Sequence, residues 1–230
     1  MSRILGLLSL AVLVLAPLSG RLHVLPLRVA LLMVPAAALL GVIAVGVGVF
    51  QLLRKPTPER RSAAIAGLVT GLVPIAFMAN VVVQGRGIPM IHNITTDMKD
   101  PPTFTIAPTL PSRVADNSLE YDPHDAPLQA AAYPDLKTLE TTEDPQQAFE
   151  HAKAVATNLG WEIYAADSAT GNIEAVDSTK LWGFKDDVVI RIRARDQGSI
   201  VDLRSVSRVG HGDMGANAQR IRAFSAAFTR

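Results

Sequence analysis

An α+β soluble domain behind an N-terminal helical transmembrane region is the fold class this sequence predicts, and three observations predict it. Three apolar runs, Ile4 to Leu18, Val29 to Leu53 and Ser62 to Val83, fill the first third of the chain. A proline-rich stretch follows. Then come one helical stripe, four strand-like segments and a second helical stripe. Consecutive antiparallel strands with two apolar-striped helices suggest two layers, one sheet with both helices on one face. The boundaries drawn from these shifts are a transmembrane region over 1–84, an extended arm over 85–134 and an α+β domain over 135–230.

An apolar run of roughly 20 residues crosses a bilayer as a helix. The second and third runs, taken as 29–53 and 62–83, meet that length. The first, 4–20, is shorter and follows Arg3, a pattern shared by signal peptides and uncleaved first helices. Ala16-Pro17-Leu18-Ser19-Gly20 matches a small-x-small cleavage site poorly, so this run is read as a helix that stays. Between the second and third runs lie Arg54, Lys55, Arg60 and Arg61, and the positive-inside rule makes such a loop cytoplasmic. The expected location is therefore integral to the cytoplasmic (inner) membrane, with the C-terminal domain on the periplasmic or external side. Gly67 and Gly71 form a G-x-x-x-G whose small face lets another helix approach, in this chain or in a second copy. Neither long span contains an acid or base, which argues against proton-coupled transport.

The net charge of +1 hides a segregation. Residues 1–83 carry seven Lys/Arg and one Glu, residues 84–179 five Lys/Arg against fifteen Asp/Glu, and residues 180–230 ten against five. The basic end could attract an anionic ligand or be neutralised by the acidic middle after folding. The chain has no cysteine, which removes disulfides, thiolate zinc sites and cysteine nucleophiles.

From Gly85 to Pro134 eight prolines exclude long helices and central strands. Ile88, Ile91, Ile94, Phe104, Ile106 and Tyr121 give this arm apolar anchors, so it is expected to lean on the domain. Next, Asp144 caps a helix with Pro145 at its first position and Gly160 at its end. Ala148, Phe149, Ala152, Val155, Ala156 and Leu159 form its stripe. Trp161 to Asp167 and Asn172 to Asp177 read as two strands around Ser168-Ala169-Thr170-Gly171. In Val188 to Ala194, Val188, Ile190 and Ile192 face one way and Val189, Arg191 and Arg193 the other. A turn at Gln197-Gly198 would pair Arg193 with Asp202, Arg191 with Arg204 and Ile192 with Leu203. Arg191, Arg193 and Arg204 would then show on the face away from the helices. A last helix is expected after an Asp213 cap, with Met214, Ala218, Ile221, Phe224 and Phe228 buried.

Polar side chains concentrate between Asp202 and Arg222. Arg204, Ser205, Ser207, Arg208, His211, Asp213 and Asn217 occupy a strand end, a Gly-rich turn and a helix start, where arginines beside a helix N-terminus could hold an anion or a partner. The competing structural role has Asp213 as the cap and the arginines in ion pairs with Asp186, Asp187 and Asp202. Ser205, His211 and Asp213 are the residue types of a hydrolase triad, but no nucleophile elbow frames a serine. Asp186, Asp187, His211 and Asp213 match no metal-loop spacing, and no metal or cofactor is assigned. Trp161 and Trp182 read as packing residues rather than a sugar platform.

Gly183-Phe184-Lys185-Asp186-Asp187-Val188 and Arg204-Ser205-Val206-Ser207-Arg208-Val209-Gly210, continued by Asp213, Gly215, Asn217, Arg220 and Ile221, resemble the domain of unknown function 1499 family. Ile91-His92-Asn93-Ile94-Thr95-Thr96-Asp97 with Pro101-Pro102-Thr103-Phe104 adds an upstream signature. The cysteine-containing N-terminal motif of many members is absent. The resemblance implies a membrane-associated domain of unassigned biochemistry. The sequence thus favours a non-catalytic, membrane-anchored binding or assembly module whose partner is an envelope protein or anionic lipid, with no nucleic acid. The alternative is an envelope lipid or phosphoester hydrolase using His211 with Asp186, Asp187 or Asp213.

Overall fold

The computed structural model describes residues 1–230 and divides into two compact units. The first holds Met1–Arg86 together with Lys180–Gly183, the second Gly87–Thr179 and Phe184–Arg230.

In the first unit α1 (Ser2–Arg21), α2 (Leu27–Leu53) and α3 (Pro58–Gly85) are all long and apolar enough to cross a membrane. Their packing inverts the logic of a water-soluble core. The buried residues of α2 are small or short, Ala30, Val34, Ala37, Gly41, Ala44 and Gly48, while Leu32 and Leu39 point outward. In lipid, large side chains gain nothing by turning inward, and close backbone approach supplies the packing. A Cβ on Gly71 would stand 2.8 Å from Gly41 O, and one on Gly67 2.5 Å from the Ser2 carbonyl carbon. Ser2 Oγ donates to Gln51 Oε1 at 2.7 Å and Ser9 Oγ to Ala37 O at 3.1 Å, so the few polar groups are satisfied between helices.

The second unit is built on one antiparallel sheet. β3 (Glu162–Asp167), β4 (Asn172–Ser178), β5 (Lys185–Arg195) and β6 (Gly198–Ser207) follow one another as neighbours. Two short strands outside the expected four, β1 (Asn93–Thr95) and β2 (Leu139–Thr141), pair with opposite ends of the free edge of β6. Gln129, from the short α4 (Ala126–Ala132), backs β1 with its side-chain amide, accepting from Thr95 N and donating to Thr95 O.

α5 (Pro145–Asn158) starts where Asp144 accepts from Gln147 N at 2.9 Å, and it ends before Gly160, whose φ is 84°. α6 (Ala216–Phe228) starts later than the sequence suggests. Gly215 holds the cap position, and Met214 is exposed with φ 52° rather than buried. Both helices cover one sheet face. Phe149, Val155, Phe224 and Ile221 meet Ile173, Val188, Ile190, Ile192, Val201 and Leu203 there, and Trp161 stacks on Phe224 at 5.6 Å.

Two further expectations change. The β5–β6 hairpin turns at Asp196-Gln197, pairing Arg191 with Asp202, Ile192 with Val201 and Ile190 with Leu203, two residues from the expected register. A slip of two preserves every face, so alternation could not detect it. Gly198, at φ 101°, pairs with Arg195 and closes this turn, and a Cβ there would lie 2.0 Å from Thr141 O of β2. The face away from the helices is also not open. Residues between β1 and α4 lie across it, so Val189 and Arg204 are buried.

Candidate functional site

Alternation along β6 divides the expected site residues between the two sheet faces. Ser205 and Ser207 turn toward α6. Arg204 and Arg208, the latter just past the strand, turn toward the arm.

On the helix side Ser205 Oγ donates to Asn217 Oδ1 at 2.6 Å, and Asn217 Nδ2 donates to Ser207 Oγ at 2.8 Å and to His92 O at 3.1 Å. Arg220, one turn after Asn217, completes this network. Its guanidinium donates to Ser205 Oγ and Asn217 Oδ1, to Asp186 Oδ2 at 2.6 Å and to Asp177 Oδ2 at 2.7 Å. Burial pushes the Asp186 carboxyl up from its ordinary value, although Arg220 and Ser207 oppose this. The Ser205 hydroxyl donates to an amide oxygen and accepts from a guanidinium, so no base activates it.

On the arm side Arg208 grips Asp187 with Nε and Nη2, the closest contact being 2.7 Å, and Arg113 reaches the same carboxylate at 2.8 Å. Asp187 is wholly buried. Arg204 is buried too, with no carboxylate partner. It donates to Asn93 Oδ1 at 2.9 Å, to Pro102 O at 3.1 Å and to Leu119 O. The rings of Phe104 and Tyr121 each lie 5.5 Å from its guanidinium carbon. Burial pulls its pKa down to about 10, which still leaves it charged near neutrality.

Two more buried carboxylates fasten the arm. Glu174 accepts from the backbone N–H groups of Thr105, Ile106 and Ala107 at 2.6–2.9 Å. Asp202 accepts from Arg191 at 3.1 Å and Arg193 at 3.0 Å, and both arginines continue to Asp100.

His211 is exposed on the turn before α6. Asp213 accepts from Gly215 N at 2.8 Å and Asn217 N at 2.9 Å, feeding the first turn of α6 from two residues before the cap position. The carboxylates considered beside His211 are therefore engaged, Asp186 by Arg220, Asp187 by two arginines and Asp213 by backbone amides. Six of the seven expected residues are tied into internal hydrogen-bond networks on the two sides of the sheet, and His211 stands outside them.

Sequence reasoning did not assign Asn93, Arg113, Glu174 or Arg220 to the site. Asn93 and Arg220 stood within the resembling motifs, and Arg220 follows Asn217 at helical i,i+3 spacing. Arg113 and Glu174 carry no local signal, because their partners are 74 and about 70 positions away in the chain.

No curated protein matches the chain. The family described as Protein of unknown function (DUF1499) matches residues 93–228, a span that opens at β1 and closes at the end of α6. It takes in every strand and both polar networks, and by that match the chain belongs to the DUF1499 family.

Proposed function

We propose that this protein is a non-catalytic, membrane-anchored assembly module whose α+β domain faces the periplasm or exterior. One observation carries the reading. The charged groups of the Arg204–Asn217 corner are spent on one another and on the arm, so they give the domain a fixed shape rather than a reactive cleft. A partner would meet the outer surface of the corner, where His211 and Met214 are accessible and Arg204, Ser205, Ser207, Arg208, Asp213 and Asn217 hold the backbone beneath them.

The basic loop around Arg54 and Arg61 supports a cytoplasmic α2–α3 connection, and hence an inner-membrane protein with its domain outside. The close approaches at Gly67 and Gly71 support use of that small face within the chain rather than between copies. The partner class is an envelope protein or an anionic lipid.

Copurification of the intact protein from membranes, with bound proteins and lipids identified, tests this. A recurrent partner lost in a His211→Ala, Met214→Ala double variant that still folds is the expected result. Turnover of phosphoester or lipid substrates that is abolished by His211→Ala would replace the assembly reading with a hydrolase.

A further inference from the structure

The β4–β5 connection is a small closed loop. Thr179 N donates to Phe184 O at 2.8 Å, Phe184 N donates to Thr179 Oγ1 at 2.9 Å, and Gly183 adopts φ 70°. These bonds hold the loop base and leave the four-residue tip projecting. That tip, Lys180–Gly183, belongs to the helical unit. Within this unit Arg21, the last residue of α1, donates to the Lys180 carbonyl. The Trp182 indole lies beside Gly20, where a Cβ would stand 3.6 Å from it.

The tip has the chemistry of a bilayer interface. Leu181 is 56% exposed, and exposed Lys180 precedes the Leu-Trp pair. Tryptophan concentrates at headgroup depth because its ring is apolar and its N–H is polar. Lysine can bury its stem while its ammonium reaches phosphate. The end of α1 has the same character, with Arg21 followed by exposed Leu22 and Val24.

We propose that Leu181 and Trp182 are an interfacial anchor, bedded in the headgroup layer of the membrane at the level where α1 ends. The occupant of this surface is lipid, because a helix that crosses a bilayer must end at its headgroups and the tip shares a unit with that end. The inference rests on α1 spanning the membrane and not on what the domain binds, so the copurification result does not bear on it.

The chain has two tryptophans, and Trp161 is buried in the sheet–helix core, which makes a direct test possible. The full-length protein is reconstituted into phosphatidylcholine–phosphatidylglycerol vesicles carrying bromine near the glycerol end of the acyl chains. Emission from the wild type should fall relative to unbrominated vesicles, and bromine near the chain terminus should quench less. Trp182→Phe, reporting Trp161 alone, should show no loss in either lipid. Equal quenching of wild type and Trp182→Phe would overturn the anchor, as would a wild type whose emission ignores bromine altogether. If Trp182→Phe does not fold, Leu181→Asp serves instead. It should lose the quenching, and retained quenching would count against the proposal.

Discussion

Arg204 and Arg208 lie on the same face of the sheet and differ in their chemistry. Arg208 forms a forked pair with a buried carboxylate, so removing it strands a charge. Arg208→Ala should cost roughly 3–5 kcal/mol, toward the lower end because Arg113 still touches Asp187. Arg204 instead meets neutral acceptors between two rings, and its planar fork matters more than its charge. Arg204→Lys cannot reach three divergent oxygens and should cost about 2–3 kcal/mol. Denaturant titration followed through Trp161 fluorescence checks both variants, and an Arg204→Lys variant as stable as wild type would show that any cation suffices there. The Arg208 pairing was legible as one of two alternatives, since aspartates stood at the start of the neighbouring strand. The environment of Arg204 was not, because backbone oxygens of Pro102 and Leu119 leave no mark in side-chain patterns.

At the scale of elements, the hairpin separates what alternation can decide from what it cannot. It identifies faces, and Ile192 does share the helix-side face with Leu203. It cannot fix a register between solutions that differ by two residues, nor report whether the second face is covered. Val189 is the sharpest case. Sequence puts it beside arginines on an open face, yet it is fully buried under the arm. Ile192→Ala should cost roughly 2–5 kcal/mol and Val189→Ala a comparable 1–3 kcal/mol. A negligible cost at Val189 would mean that the arm packs loosely.

The arm latch adds a pH dependence. Burial opposes ionisation of Asp97, but amide donation from Asp100 and Lys99 and the charges of Arg191 and Arg193 outweigh it. They hold the carboxyl below its ordinary 3.8. A depressed acid contributes stability above its unfolded pKa and loses it as pH falls through the folded value. The stability gap between wild type and Asp97→Asn should thus be complete at neutral pH and close below about 3.8, as read from denaturant midpoints across an acid series. A gap independent of pH would assign the latch to packing rather than charge.

For the whole molecule, orientation is the property to test first. The chain has no cysteine, so single cysteines report without background. In intact cells an impermeant thiol reagent should label Ala169→Cys on the exposed β3–β4 turn and should leave Thr57→Cys untouched until the membrane is opened. The reverse pattern would place the α+β domain in the cytoplasm.

Hydropathy and local signals were enough for the apolar helical region with its two full-length spans, the α5 cap and stop, the strand alternation and the two-layer fold class. These depend on hydropathy and on partners a few residues away. The hairpin register, the two edge strands on β6, the burial of Val189 and Arg204 and the division of the polar motif between the two sheet faces came only from the tertiary structure. Each of these depends on groups far apart in the chain, such as Gly198 against Thr141, Arg113 on Asp187 and Glu174 on the amides of 105–107. A local pattern records which face a residue takes. It does not record what chain returns to cover that face, because a returning segment adds no periodicity to the strand it covers.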